Sequence, residues 1–293
     1  MRQRLILAAA VAGLVVVLLA LNTARNAAGW QPIAHTPEER DTLLRPAWRL
    51  LRPPGPGPHK AAILLSGCDG VHDNMDWWAG VMLAQGRAAL ILDSHAPRGL
   101  TLAQSWRAVC AGQVLPGAER AGDIAAALTA LRGMAGIDAS DVALLGASHG
   151  SWSVMELMAD LGDGAVPPGL TDWPAPPESL AAQVGPVLLL YPYCGVLSGA
   201  GRAAWPGHVQ GLMILAQNDS ITDPGACRKM AATLTAKGTR LQVETLAGTD
   251  HGFDQRERSA LSALQFDEPA RDRATDLAQD FLQGFASPRQ TGL

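Results

Sequence analysis

Short segments that are apolar nearly from end to end most constrain what this chain can become. Ala61–Leu65 (AAILL), Ala88–Leu92 (AALIL), Val142–Leu145 (VALL), Val187–Tyr191 (VLLLY) and Leu212–Ala216 (LMILA) are too short for helices, and polar or glycine-containing loops follow them. An apolar run without alternation suits a strand buried on both faces. Leu241–Leu246 (LQVETL) reads as a further strand, and Ala47–Leu51 as a short edge strand ended by the Pro/Gly stretch from Pro53 to Pro58. Between them the pattern predicts helices over Asp76–Gln85, Glu119–Arg132, Ser151–Leu161, about Pro224 to Lys237, and Pro269–Phe285. Strand and helix alternate, which predicts an α/β domain with a mostly parallel sheet and helices on both faces. Sheets of this kind bind ligands where loops leave the carboxyl ends of the strands. Gly162–Pro177, rich in Gly and Pro, reads as irregular and as a candidate lid.

The first thirty residues stand apart from that rhythm. Arg2 and Arg4 precede an uncharged run from Leu5 to Ala24. Twenty helical residues span about 30 Å, one bilayer core. Both a cleaved signal and an uncleaved anchor fit, and the length of the run with no clean cleavage site favours the anchor. Either way the basic end stays in the cytoplasm and the domain over 31–293 is expected to be exported, in the periplasm or on the periplasmic side of the inner membrane. The four cysteines, Cys68, Cys110, Cys194 and Cys227, contain no C-x-x-C pair. An oxidising compartment permits two disulfides, although four buried thiols would fit the same spacing. Three pairings exist. Cys68 and Cys110 lie in the loops after the first two strong strands. Cys194 and Cys227 follow consecutive strands, so proximity favours Cys68–Cys110 and Cys194–Cys227. The net charge of −4, with 17% charged residues, gives no basic face for nucleic acid.

The chemistry centres on Gly146-Ala147-Ser148-His149-Gly150, a G-x-S-x-G match. Chance supplies about one such match in seven chains of this composition, so the motif alone is weak. Its position between a strand and a helix is what a nucleophile elbow requires. A serine needs a base, and the base an orienting carboxylate, arriving in the chain order Ser, acid, His. Downstream of the G-x-S-x-G motif there are two histidines. His208 precedes a strand, at the wrong end of the sheet, whereas His251 follows one. Asp219 and Asp223 both leave the strand LMILA; Asp219 is nearer its end, and Asp223 before Pro224 suits a helix cap. Asp250 adjoins His251 and is expected to point away from it. The oxyanion hole is assigned to the backbone N–H groups of His149 and Cys68. His72 and His95, on loops at the same sheet end, read as solvated loop histidines or as pocket lining, and Trp77, Trp78, Trp106, Trp152 and Trp173 as candidates for pocket walls, with core packing the blander reading for each.

Together these residues resemble the dienelactone hydrolase family of α/β-hydrolases. The resemblance runs from about Ala61 to Phe253. It rests on G-C-D-G (Gly67–Gly70), LDSHAPRG (Leu92–Gly99), GASHG (Gly146–Gly150), AQNDSITDP (Ala216–Pro224) and DHGF (Asp250–Phe253). It implies the α/β-hydrolase fold, assigns the acid to Asp219, and implies hydrolysis of a small-molecule carboxylic ester or lactone without a metal or cofactor. The founding members use Cys where this chain has Ser148, and relatives often carry His where it has Ser66. The same triad would also serve a peptidase or acyltransferase, and a dead enzyme tethered to the membrane would be a binding module.

Overall fold

The computed structural model describes residues 1–258 and 262–286. Helix α1 (Arg2–Ala27) contains the apolar run, and none of its most apolar stretch is buried. Helix α2 (Pro37–Leu44) was not legible as an element, although Thr36 and Glu39 form a complete capping box at its start. Strand β1 (Arg49–Leu51) follows, then β2 (His59–Leu65), α3 (Asp73–Ala84) and β3 (Ala88–Leu92). A single helical turn, α4 (Leu102–Gln104), continues into a wider π turn over Ser105–Val109. Then come α5 (Gly117–Leu131), β4 (Ile137–Ala147), α6 (His149–Asp163) and α7 (Pro177–Gln183). The chain finishes with β5 (Val184–Leu190), β6 (Gln210–Ala216), α8 (Pro224–Ala236), β7 (Arg240–Leu246) and α9 (Glu268–Ala286).

The strands form one sheet in the order β1-β3-β2-β4-β5-β6-β7. β1 is antiparallel to β3 and every other neighbouring pair is parallel. Central strands are apolar throughout because both faces are covered. Ile63 and Leu65 join the core under α5, α6, α7 and α8, while Ala62 and Leu64 join the core under α3 and α9. Each such Leu or Ile contributes about 1.5–3 kcal/mol on burial. Edge strand β7 is instead more open, with Arg240, Gln242 and Thr245 exposed. β4 is longer than VALL because its polar first half pairs with His59 and Lys60 before a bulge, a stretch without hydrophobic signal.

The strand order places the site. From β2 the chain steps outward to β3, then crosses back to β4 on the other side of β2. The loops leaving β2 and β4 therefore diverge and leave a crevice at their carboxyl ends. Cys68 sits after β2 and Ser148 after β4, so both assigned features meet at this switch point.

Candidate active site

Ser148 stands between β4 and α6 with φ 52° and ψ −111°, a conformation that side chains rarely adopt. Strain of this kind costs about 1–3 kcal/mol and needs support from its surroundings. The support is visible. Ser148 N donates to Leu190 O at 2.9 Å, and Ser151 Oγ donates to Gly146 O at 2.6 Å. Both glycines are dictated by contact. A Cβ on Gly146 would stand 2.4 Å from the Gly150 carbonyl carbon, and one on Gly150 would stand 2.3 Å from Leu65 O. No side chain fits at either position while the turn stays this tight.

His251, in the loop after β7, places Nε2 2.8 Å from Ser148 Oγ and Nδ1 2.7 Å from Asp219 Oδ2. Asp219 also accepts the N–H groups of Ile221 and Thr222 and the Thr222 hydroxyl. Burial by itself raises this carboxyl. The hydrogen bond and charge of His251, with the Thr222 and Ile221 N–H groups, outweigh it and hold the pKa below the usual carboxylate value. Asp219 is thus kept ionised beside the imidazole. Asp223 caps α8 through Gly225 N at 2.7 Å, as its place before Pro224 suggests. Asp250 turns away from the imidazole and braces the acid loop through Ser220 N and Oγ. His208 lies at the other sheet end, against Ala181 O and Val184 O.

Cys68 and Ser148 line one small cavity at the elbow, of about 30 Å³, with Gly67, Tyr191, His251 and Gln255. Neither the Cys68 nor the His149 backbone N–H has an acceptor among the described residues. A residue that the sequence reading did not single out bridges the two segments that carry these N–H groups. Arg120, on α5 and fully buried, donates from Nη1 to Ser66 O at 3.0 Å and to His149 Nδ1 at 2.9 Å. Burial lowers its pKa to about 10, which still leaves it charged at neutral pH. Burial, then the Arg120 charge, holds His149 neutral, well below its usual value. Since Arg120 can only donate, the His149 proton sits on Nε2. One guanidinium nitrogen therefore ties the loop carrying Cys68 to the residue carrying the second donor. A misplacement of about 1 Å can cost about 100-fold in rate. Arg120→Leu is expected to lower kcat about 10- to 100-fold with KM nearly unchanged and Arg120→Lys partly restoring it. Steady-state kinetics with circular dichroism of each variant checks this; a change confined to KM would remove the positioning role.

A larger cavity of about 530 Å³ opens beside Ser148, walled by Trp106, Val109, Trp152, Tyr193, Leu197 and Ile221. Both disulfides form with the expected pairing, with Cα atoms 4.9 Å apart for Cys68–Cys110 and 5.1 Å for Cys194–Cys227. The first bridge couples the loop carrying Cys68 to the Ser105–Gly112 segment that roofs this cavity.

A mostly parallel sheet with the serine elbow after β4, the acid loop after β6 and the histidine loop after β7 is the α/β-hydrolase fold. No protein-family model matches the chain, and no curated protein matches its sequence. Solved structures share the fold. Native esterase 2 of Thermogutta terrifontis superposes with a TM-score of 0.60 at 15% identity, over 84% of this chain and 90% of that one. A Klebsiella pneumoniae protein assigned as a dienelactone hydrolase gives a TM-score of 0.60 at 14% identity, over 80% and 92%. The Thermogutta esterase phosphonylated by sarin gives 0.60 at 15% identity, over 83% and 91%.

Several expectations need correction. His72 and His95 are not solvated. His72 is 8% exposed, with Nε2 3.2 Å from Asp69 Oδ2, and Gln255 donates to the same oxygen. His95 is turned inward by an Asp93 side chain that accepts its N–H. Burial, with Arg120 next in effect, lowers its pKa to about 3. Gly162–Pro177 is no lid. His35 N and Arg40 Nη2 both donate to Gly169 O, and no residue of the segment lines either cavity at Ser148. Of the five tryptophans, Trp106 and Trp152 line the large cavity. Trp78 is core and donates to Asp254, Trp77 lies on the surface under Arg271, and Trp173 bonds Gly164 O. Tyr191 was also missed. Its ring stands edge-on to His251, with centroids 4.7 Å apart, and its hydroxyl donates to buried Asp254. An arginine within the apolar helix α5 and a polar-tipped aromatic ending a buried strand were the available signals.

Proposed function

We propose that this chain is an exported serine hydrolase that cleaves a carboxylic ester or lactone through an acyl-enzyme. The observation that carries this reading is the unbroken line Asp219–His251–Ser148 ending beside two backbone N–H groups without acceptors. Ser148 Oγ attacks the carbonyl carbon while His251 Nε2 takes its proton. The imidazolium is steadied by Asp219 through Nδ1–H. The carbonyl oxygen becomes an oxyanion between the Cys68 and His149 N–H groups, each such donor being worth about 10²–10³ in rate. His251 returns the proton to the leaving alcohol. Water, deprotonated by the same nitrogen, then releases the acid and restores the Ser148 hydroxyl. The apolar cavity supports an uncharged substrate over a peptide bearing charged groups. The esterase and dienelactone hydrolase neighbours share the fold that carries such chemistry. Turnover of short p-nitrophenyl esters against peptide amides tests the reading. Rapid ester cleavage is expected, and a preference for amides would turn it to a peptidase. The apolar helix and the two disulfides support export. A C-terminal alkaline phosphatase fusion is expected to be active, and a silent fusion would place the domain in the cytoplasm.

A further inference from the structure

We propose that the large cavity beside Ser148 opens at the membrane surface and draws its substrate from the bilayer, as a neutral ester with an apolar acyl chain. This rests on the exported, helix-anchored hydrolase reading and adds to it the substrate class and the side from which the substrate enters.

The first observation is how α1 ends. Its apolar part runs to Leu21, and the polar residues that follow turn onto the folded domain. Asn22 Nδ2 donates to Gln113 O at 2.6 Å, Gln113 Nε2 donates to Thr23 Oγ1 at 2.9 Å, and buried Asn26 donates to Gly112 O at 2.9 Å. Leu5–Leu21 is long enough to cross most of a bilayer core of about 30 Å. The bonded residues therefore stand at the lipid–water boundary. One partner, Gly112, lines the cavity together with Cys110 and Ala111, Gln113 is the next residue along, and Cys110 is bridged to Cys68. Anchor and substrate cavity thus share a wall.

The second observation is the rim. Leu102 is 52% exposed, Val114 39%, Val196 96% and Ile221 48%. One exposed apolar side chain is ordinary, but Ile221 lines the cavity and Leu102, Val114 and Val196 each lie within four residues of one that does. Leu102 precedes the π turn that supplies Trp106 and Val109, Val114 follows Gln113, Val196 precedes Leu197, and Ile221 lines the cavity. Trp30 and Ile33, just beyond α1, are also exposed, and Trp is a residue favoured at the membrane boundary. A rim of this kind is stabilised by contact with lipid and costs free energy in water.

The third observation is the lining. Among the described residues no Asp, Glu, Lys or Arg lines the cavity, and the one histidine there, His149, is held neutral by burial and Arg120. A charged acyl group would lose its hydration there without gaining a partner. An uncharged chain loses nothing.

The test uses the full chain in phosphatidylcholine vesicles. All four cysteines are in disulfides, so Val196→Cys and, at the far end of the sheet, exposed Thr235→Cys each offer one thiol for a nitrobenzoxadiazole label. Doxyl-labelled lipid is expected to quench the label at position 196 and leave that at 235 bright. The double variant Leu102→Asp, Val196→Asp is expected to lose about tenfold or more on bilayer-borne 4-methylumbelliferyl oleate and less than about twofold on 4-methylumbelliferyl acetate. An unquenched label at 196, or parallel losses on both esters, would overturn the proposal. Acetate cleaved without oleate would refute the substrate class while leaving the hydrolase reading intact. Neither ester cleaved by the unsubstituted chain would defeat both.

Discussion

Ser148→Ala is expected to abolish covalent labelling by a fluorophosphonate probe and to lower ester turnover by about 10⁶-fold, the scale found when a triad serine is removed. The expectation follows from geometry: Ser148 Oγ lies 2.8 Å from the base. Stability gives an independent readout of the elbow. Alanine keeps a Cβ at φ 52° and keeps the strain, whereas glycine accepts that backbone. Ser148→Gly is therefore expected to melt above Ser148→Ala, by up to about 2 kcal/mol once the greater freedom of unfolded glycine is deducted from a strain of about 1–3 kcal/mol. Labelling of the alanine variant at another serine would move the nucleophile. A glycine variant that melts below the alanine variant would mean that the turn is unstrained.

Asp219→Asn is expected to reduce kcat by about 10⁴-fold, equivalent to about 5.5 kcal/mol in the barrier. An amide there can present its NH2 to Nδ1, which stabilises the tautomer carrying its proton on Nε2 and so removes the base. Asp223→Asn is expected to change kcat by less than about twofold, because asparagine caps a helix about as well as aspartate. The two residues are four apart on one loop, which makes the pair a sharp control. The reverse ranking would move the acid to Asp223, and small losses in both variants would leave His251 without an orienting carboxylate.

Short-range pattern determined a large part of this protein. AAILL, AALIL and VLLLY are apolar without alternation because helices cover both faces of the sheet, and that alone predicts buried parallel strands. The site residues lie in loops immediately after such strands, so Ser148, Asp219 and His251 could be placed at one sheet edge from chain order. Consecutive strands tend to be neighbours, which also brought the cysteines together in pairs. The β1 pairing, the capped helix α2 and the polar half of β4 were less legible, since each is held by caps or partners and not by hydrophobic rhythm. Tertiary structure alone decided the rest. Arg120 reaches Ser66 and His149 from another helix, Tyr191 meets Asp254 across 63 residues, and Asn26 meets Gly112 across 86. Contacts between distant parts of the chain leave no period in either segment. For the same reason His72 and His95 looked like solvated loop residues: the charges and walls that enclose them come from elsewhere in the chain. Gly162–Pro177 looked like a lid because composition marks a segment as irregular, whereas its position depends on His35 and Arg40, far away in sequence, which hold it against the body of the domain.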